Sequence, residues 1–436
     1  MASDGKKEGS PENTIQRPKR QKVSTEDLPL VPNYVPTNPS PKTTKSRKDF
    51  SVGMAKQLLL NQVKKNCSNK NFALSPVSID VALGMVAAGS RGPTLERMLA
   101  LLGAQDIDEI KQSASAMMAA ANCGGEGGDG PVLCMVNGAW VDKRFPLVDS
   151  YEEEVLKGIY GCDAQTVDFL HQADEVVNKV NSWAKNASKG LITNLLQPGS
   201  LSPETTIILA NGLYFEGTWT TQYRFDVSLN QKRDFYLLMG DTVSIPFMTG
   251  HKRYHYESFD GFKVLKIPYQ SSAELNRKFS MYVFLPHEKV GLQNLLEELC
   301  SNSGFTKQDY FNLREVSLDR VWIPKFEFSY EFNVSTTMKE IGMTFPSVEN
   351  PEDFSEMMKI PTGIPFFATK MIQKVVVKVD EKGTKAAAVT YGRVLGCGGP
   401  PPPKPSFIAD HPFMFVIKEE ISGLLFFVGA VLNPSL

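Results

Sequence analysis

A chain of 436 residues, 42% hydrophobic and 22% charged, has the composition of a globular protein and length enough for a sizeable core. Its formal net charge of −1 gives no electrostatic reason to expect nucleic acid or an anionic membrane as partner. No apolar stretch is long enough to span a bilayer, and the opening MASDGKKEGSPENT lacks the apolar centre of a secretory signal, so a non-secreted protein is expected.

Residues 1 to about 45 are rich in Pro, Ser, Thr, Lys and Asn, with almost no apolar periodicity, and read as a disordered tail. Within it Arg17-Pro18-Lys19-Arg20-Gln21-Lys22 forms a basic cluster. Lys19, Arg20 and Lys22 suit a nuclear localisation signal, and a solvated charge run accounts for them equally well. From Phe50 the texture changes. FSVGMAKQLLLNQVKKN has apolar residues at helical spacing, and Asp80 to Gly103 reads as two helices broken at Gly89-Ser90-Arg91-Gly92-Pro93. After the glycine-rich CGGEGGDG, strands dominate: VLCMVNGAWV, TTIILANGLYF, FKVLKIPY, FSMYVFLP, VSLDRVWIPKFEFSY, MIQKVVVKVD, HPFMFVIK and LLFFVGAV. Several of these runs are apolar nearly throughout, which suits strands buried on both faces. No linker divides the region, so one α+β domain is expected over residues 46–436.

Enzyme constellations fail. Gly125-Glu126-Gly127-Gly128-Asp129-Gly130 fits GxGxxG, but a strand follows it where a pyrophosphate would need a helix. There is no GxxxxGK[ST], GxSxG or HExxH. His251 and His255 are four apart, yet HKRYH lacks helical periodicity and reads as ordinary surface. The cysteines, Cys67, Cys123, Cys134, Cys162, Cys300 and Cys397, show no CxxC or finger spacing, so free thiols in a reducing compartment are expected. No metal or other cofactor is called for.

The informative stretch is Val376 to Pro405, VVKVDEKGTKAAAVTYGRVLGCGGPPPPKP. Taken with period two, one face carries Thr384, Ala386, Ala388, Thr390, Gly392 and Val394, all uncharged and most of them small. The other face carries Lys385, Ala387, Val389, Tyr391 and Arg393, with both charges and the aromatic ring. A segment that must become a strand with one face buried needs this sorting; a surface loop does not. The alternative, an Ala-rich helix capped at Gly383-Thr384, is disfavoured by Val389, Thr390, Val394 and the glycines at 392 and 396.

Four blocks together resemble the serpin family of protease inhibitors. They are Asn71-Phe72-Ala73-Leu74-Ser75-Pro76-Val77-Ser78-Ile79; Ala210-Asn211-Gly212-Leu213-Tyr214-Phe215-Glu216-Gly217-Thr218-Trp219; Asp380-Glu381-Lys382-Gly383-Thr384 with its Ala run; and Phe407-Ile408-Ala409-Asp410-His411-Pro412-Phe413 with Phe427-Val428-Gly429 through Asn433-Pro434. The Ala-Asp-His-Pro-Phe form is most similar to plant serpins. The resemblance implies a fold of three β-sheets with eight or nine helices and an exposed, metastable reactive-centre loop at about 381–405. It implies a monomer that is no enzyme; the unsignalled N-terminus and the basic cluster in the tail give the cytoplasm, the nucleus or both as the expected location. Its partner would be a papain-like cysteine protease or a subtilisin-like or elastase-like serine protease, trapped as an acyl-enzyme when the cleaved loop enters the main sheet. A non-inhibitory serpin that binds through its loop or tail is the alternative. The family's spacing from the hinge Gly383 places the reactive bond at Cys397-Gly398. The hinge is then Glu381, Gly383, Thr384, Ala386, Ala387, Ala388 and Thr390. The shutter, midway down the sheet, is Ser75, Ser78, Asn211 and Gln373, where Gln373 replaces the family's usual His. The breach, where the loop enters, is Trp219 and Lys325 with Glu381.

Overall fold

The computed structural model describes residues 48–65, 69–121, 131–190, 192–250, 253–271, 277–301, 308–340, 350–362, 369–381 and 404–436. All of these belong to one unit, Lys45–Leu436. The basic cluster Lys19, Arg20 and Lys22 lies outside the described residues, as do Gly383, Thr384, Ala386, Ala387, Ala388, Thr390, Cys397 and Gly398.

Among the described residues the α-helices are α1 (Lys48–Lys65), α2 (Pro76–Ala88), α3 (Gly92–Leu102), α4 (Ile107–Ala121), α5 (Phe169–Ala187), α6 (Leu292–Ser301) and α7 (Val334–Glu340), and Tyr151–Lys157 forms a π-helix. Local chemistry sets their ends. The Ser75 hydroxyl caps α2 by accepting from Ser78 N, with Pro76 at the first helical position. Gly103, at φ 65°, closes α3 in the left-handed conformation that glycine adopts without strain.

The strands are β1 (Phe72–Leu74), β2 (Val132–Asp142), β3 (Cys162–Val167), β4 (Ile207–Glu216), β5 (Gln231–Tyr236), β6 (Thr242–Gly250), β7 (Arg253–Ser258), β8 (Phe262–Pro268), β9 (Phe279–Pro286), β10 (Arg314–Ser317), β11 (Val321–Pro324), β12 (Phe326–Asn333), β13 (Thr369–Val379), β14 (Phe407–Ile408), β15 (Phe413–Glu419) and β16 (Leu425–Val431). Among the described residues they form three sheets. One has seven strands in the order β1-β16-β15-β9-β8-β7-β10, one has four in the order β14-β11-β6-β5, and one has five in the order β12-β13-β4-β2-β3. The apolar runs β9 and β16 are buried along their whole length, as strands covered on both faces must be.

One expected strand divides. VSLDRVWIPKFEFSY supplies the end of β10, all of β11 and most of β12, and these three belong to three different sheets. The polar Asp319-Arg320 step parts the first two, and Pro324-Lys325 turns the chain between the second and third.

Among the described residues the core has three apolar clusters. The largest fills the space between the inner face of the five-stranded sheet, the helices α2 to α4 and the seven-stranded sheet. A second packs α1 and α6 on the other face of the seven-stranded sheet. The third lies on the outer face of the five-stranded sheet, where Val176, Val177, Val180 and Ala184 of α5 cover Trp140, Ile208, Ala210 and Ile372.

Candidate functional site

The five-stranded sheet has an unusual centre. β13 and β4 are parallel neighbours, while each is antiparallel to its other neighbour, β12 and β2 respectively. Their register runs from Thr369↔Ile207 to Val376↔Tyr214 and stops there. β13 continues to Val379 beside β12 alone, and β4 continues to Glu216 beside β2 alone. The seam between them is therefore paired below Val376 and parted above it. Residues alternate along β13: Met371, Gln373, Val375, Val377 and Val379 point into the core, and Lys378 points to solvent.

A cluster of contacts stands at the parted end. Trp219 is fully buried, stacks on Tyr269 with ring centroids 4.4 Å apart, and donates its indole N–H to Asp380 O at 2.9 Å. Phe225 N donates to Glu381 O at 3.0 Å. The Glu381 carboxylate, itself buried, takes Lys325 Nζ at 2.8 Å and the side-chain amide of Asn230 on the same oxygen. Burial pushes this carboxyl up, but the bonds from Lys325, a backbone N–H and Asn230 outweigh it and hold the group below its ordinary value. Trp219, Lys325 and Glu381 thus meet, and they fasten the end of β13 to the segments that flank β5 and β11.

A second polar cluster lies halfway down the seam on the buried face. Gln373 Oε1 accepts from Ser75 N at 2.9 Å, and Gln373 Nε2 donates to Ser75 O at 3.1 Å. Ser75 Oγ accepts from Ser78 N at 3.1 Å. Across the seam, Asn211 Nδ2 donates to Asn137 Oδ1 at 2.6 Å, and Asn137 Nδ2 donates to Tyr160 O at 2.8 Å. Ser75, Ser78, Asn211 and Gln373 are therefore gathered in one buried layer.

Asn137, Asn230 and Tyr269 belong to these clusters without having been picked out in the sequence. Asn137 carried a signal, being the one polar side chain within the apolar run VLCMVNGAWV. Asn230 sits in a polar turn and carried none. Among the described residues, no group of three or more His, Cys, Asp or Glu side chains could hold a metal ion.

The serpin family model, described as serine protease inhibitor, matches residues 45–434. Serpin-ZX of Arabidopsis thaliana is 37% identical over 391 residues, covering 88% of this chain and 98% of that protein. Serpin-Z7 of Hordeum vulgare is 38% identical over 369 residues, covering 84% and 90% respectively. The solved structure of Arabidopsis AtSerpin1 in its native stressed conformation superposes with a TM-score of 0.80 at 34% identity, covering 91% of this chain and all of that one. A central parallel seam, the gathered blocks around it and a match along nearly the whole chain agree: this chain belongs to the serpin family.

Proposed function

We propose that this serpin traps a serine or cysteine protease as a suicide substrate. The target's nucleophile attacks the Cys397 carbonyl carbon, the bond to Gly398 breaks, the Gly398 nitrogen leaves with a proton, and Cys397 remains joined to the enzyme as an ester or thioester. The freed segment from Thr384 then enters the sheet between β13 and β4, carrying the protease with it. The observation that supports this is the seam, whose two edges run parallel and part beside the Glu381 cluster. A segment that turns back after β13 runs antiparallel to β13 and to β4, so one parallel pairing is exchanged for two antiparallel ones. A dozen or so new ladder hydrogen bonds, at roughly 0.5–1.5 kcal/mol each, supply about ten kcal/mol.

Cys397 is small and weakly apolar, which suits papain-like, subtilisin-like or elastase-like targets. Incubation with such a panel is expected to give a complex that survives SDS. Cleavage at 397–398 with no complex would favour the non-inhibitory alternative. Cys397→Arg is expected to move the preference to trypsin-like enzymes; a trypsin cut at Arg393 alone, with no stable complex, would mean that the reactive bond lies elsewhere or that the loop cannot trap.

The protein acts as a monomer in the cytoplasm and nucleus under this reading. Lys19 and Arg20 lie in a basic cluster far from the core in sequence. Replacing both with Ala should shift a fluorescent fusion of the full chain toward the cytoplasm. An unchanged distribution would leave the cluster a solvated charge run.

A further inference from the structure

The five-stranded sheet ends at β3, and a groove of ≈ 560 Å³ lies between that edge strand and α5. β3 supplies Asp163 and Gln165, and α5 supplies Asn178, Ser182, Trp183 and Asn186. The apolar side of α5, with Val176, Val177, Val180 and Ala184, packs on the sheet, so the groove is lined by the flank beside it. Asn178, Ser182 and Asn186 are exposed and are poor helix formers. Among the described residues their side chains make no hydrogen bond. Asn181, between them, gives one bond to the backbone of Leu196 and takes two from Leu195 N and Leu196 N, so the fold accounts for its place. It does not account for the other three. Trp183 is the one tryptophan of the four that is not buried. Its ring is fixed from two sides. Nε1–H donates to Asp163 Oδ2 at 3.1 Å, and the ring meets Trp140 edge-on with centroids 4.9 Å apart.

We propose that the groove between β3 and α5 binds a neutral oligosaccharide, seated on Trp183 and hydrogen-bonded by Gln165, Asn178, Ser182 and Asn186. The side-chain chemistry selects this class. Amides and a hydroxyl both donate and accept, and so does every hydroxyl around the rim of a sugar ring. The C–H face of the same ring is apolar and lies against the flat indole. An anion would find one ammonium, Lys179, with the Asp163 carboxylate in the same groove. A cation would find that carboxylate alone, with one oxygen already taken by the indole N–H. An apolar ligand would cover the amides without bonding them, at a desolvation cost. The volume falls within the range of small-molecule sites, and the exposed lining suits a stretch of sugar chain better than an enclosed molecule. Because the ring is held before any ligand arrives, little ordering opposes binding. The groove is formed by the intact chain, so the inference stands whether or not a protease is trapped.

The test is calorimetric titration of the full, uncut chain with cellotetraose, with mannotetraose and with a heparin tetrasaccharide, tryptophan emission being followed alongside. At least one neutral probe is expected to bind at millimolar concentration and to change the emission. Binding of cellotetraose points to a free polysaccharide as the ligand, and binding of mannotetraose to a glycan carried on a protein; either supports the site. Gln165→Ala and Asn178→Ala alter exposed side chains that the fold does not use. Each should weaken the binding about threefold to tenfold. The variants avoid Trp183 because its ring also closes over Gly138, where a Cβ would stand 2.8 Å from it. No binding of either neutral probe, tighter binding of the heparin fragment than of both, or neutral binding that the two variants leave unchanged would each overturn the assignment.

Discussion

Thr384→Arg is expected to convert the inhibitor into a substrate. The residue begins the uncharged face of the segment that, under the proposed mechanism, becomes buried, and it is the first of that face to follow the glycine at 383. An arginine there enters the sheet first: the strand cannot register beyond it without burying the charge or leaving the sheet. Burying an unpaired charge costs several kcal/mol even after relaxation. If about 3 kcal/mol of that appears in the barrier to insertion, entry slows by roughly a hundredfold. Deacylation then wins, the protease is released active, and the loop is left cut. The measurement is the ratio of complex to cleaved chain after reaction with a target. Lys385→Arg, on the opposite face, serves as the control and should leave the ratio unchanged. A Thr384→Arg protein that still forms complex with wild-type yield would contradict burial of this face.

Glu381→Gln is expected to loosen the entrance of the seam. The carboxylate joins the end of β13 to Lys325 and Asn230, and the Lys325 ammonium is about one-third exposed. After discounting for that screening, the loss is about 2 kcal/mol. If most of it lowers the barrier to parting, spontaneous loss of inhibitory activity at elevated temperature should quicken roughly 5- to 30-fold. The pH dependence has a definite sign. The folded carboxyl lies below its ordinary value of 4.5, so its contribution is complete above that value and fades as pH falls through the lowered one. Glu419 and Glu420 are also held low by hydrogen bonds that outweigh their burial, and both add acid sensitivity of the same sign. The informative quantity is therefore the difference between wild type and variant. It should be constant from neutral pH to about pH 5 and shrink below it. A difference that grows on acidification would rule out the charged contact as its source.

Most long strands could be read from the sequence because their chemistry is local. FSMYVFLP and LLFFVGAV are apolar at every or nearly every position, and burial on both faces leaves no other arrangement for them. The break between α2 and α3 was legible in Gly89 to Pro93. β5, β6 and β7 escaped although β5 and β6 pair with each other and β7 pairs with β8 next in the chain; the rest of what escaped was decided by partners far along the chain. β14 has two residues, and β1 has three; nothing inside them distinguishes a strand from a loop. VSLDRVWIPKFEFSY has uniform strand chemistry, and its division among three sheets follows from the neighbours that β7, β6 and β13 provide. The site divides in the same way. The two-faced pattern from Thr384 is intrinsic to its residues. The meeting of Glu381 with Lys325, 56 residues away, was suggested by family resemblance and by no local feature. The turn of Asn211 toward Asn137 depends on β2 being its neighbour, which no property of either strand announces.

The melting temperature before and after a single cut in the segment 382–403 tests the central claim most directly. If the released segment becomes a central strand, it adds about ten kcal/mol of ladder hydrogen bonds alone. In a domain of this size, that raises the midpoint by about 10 °C or more. A cut made at Arg393 with trypsin is sufficient, because the uncharged face from Thr384 to Gly392 lies before it. The account predicts a cleaved form that melts well above the intact one. A cleaved form that melts at or below the intact one would contradict it, since the sheet would then have gained no strand.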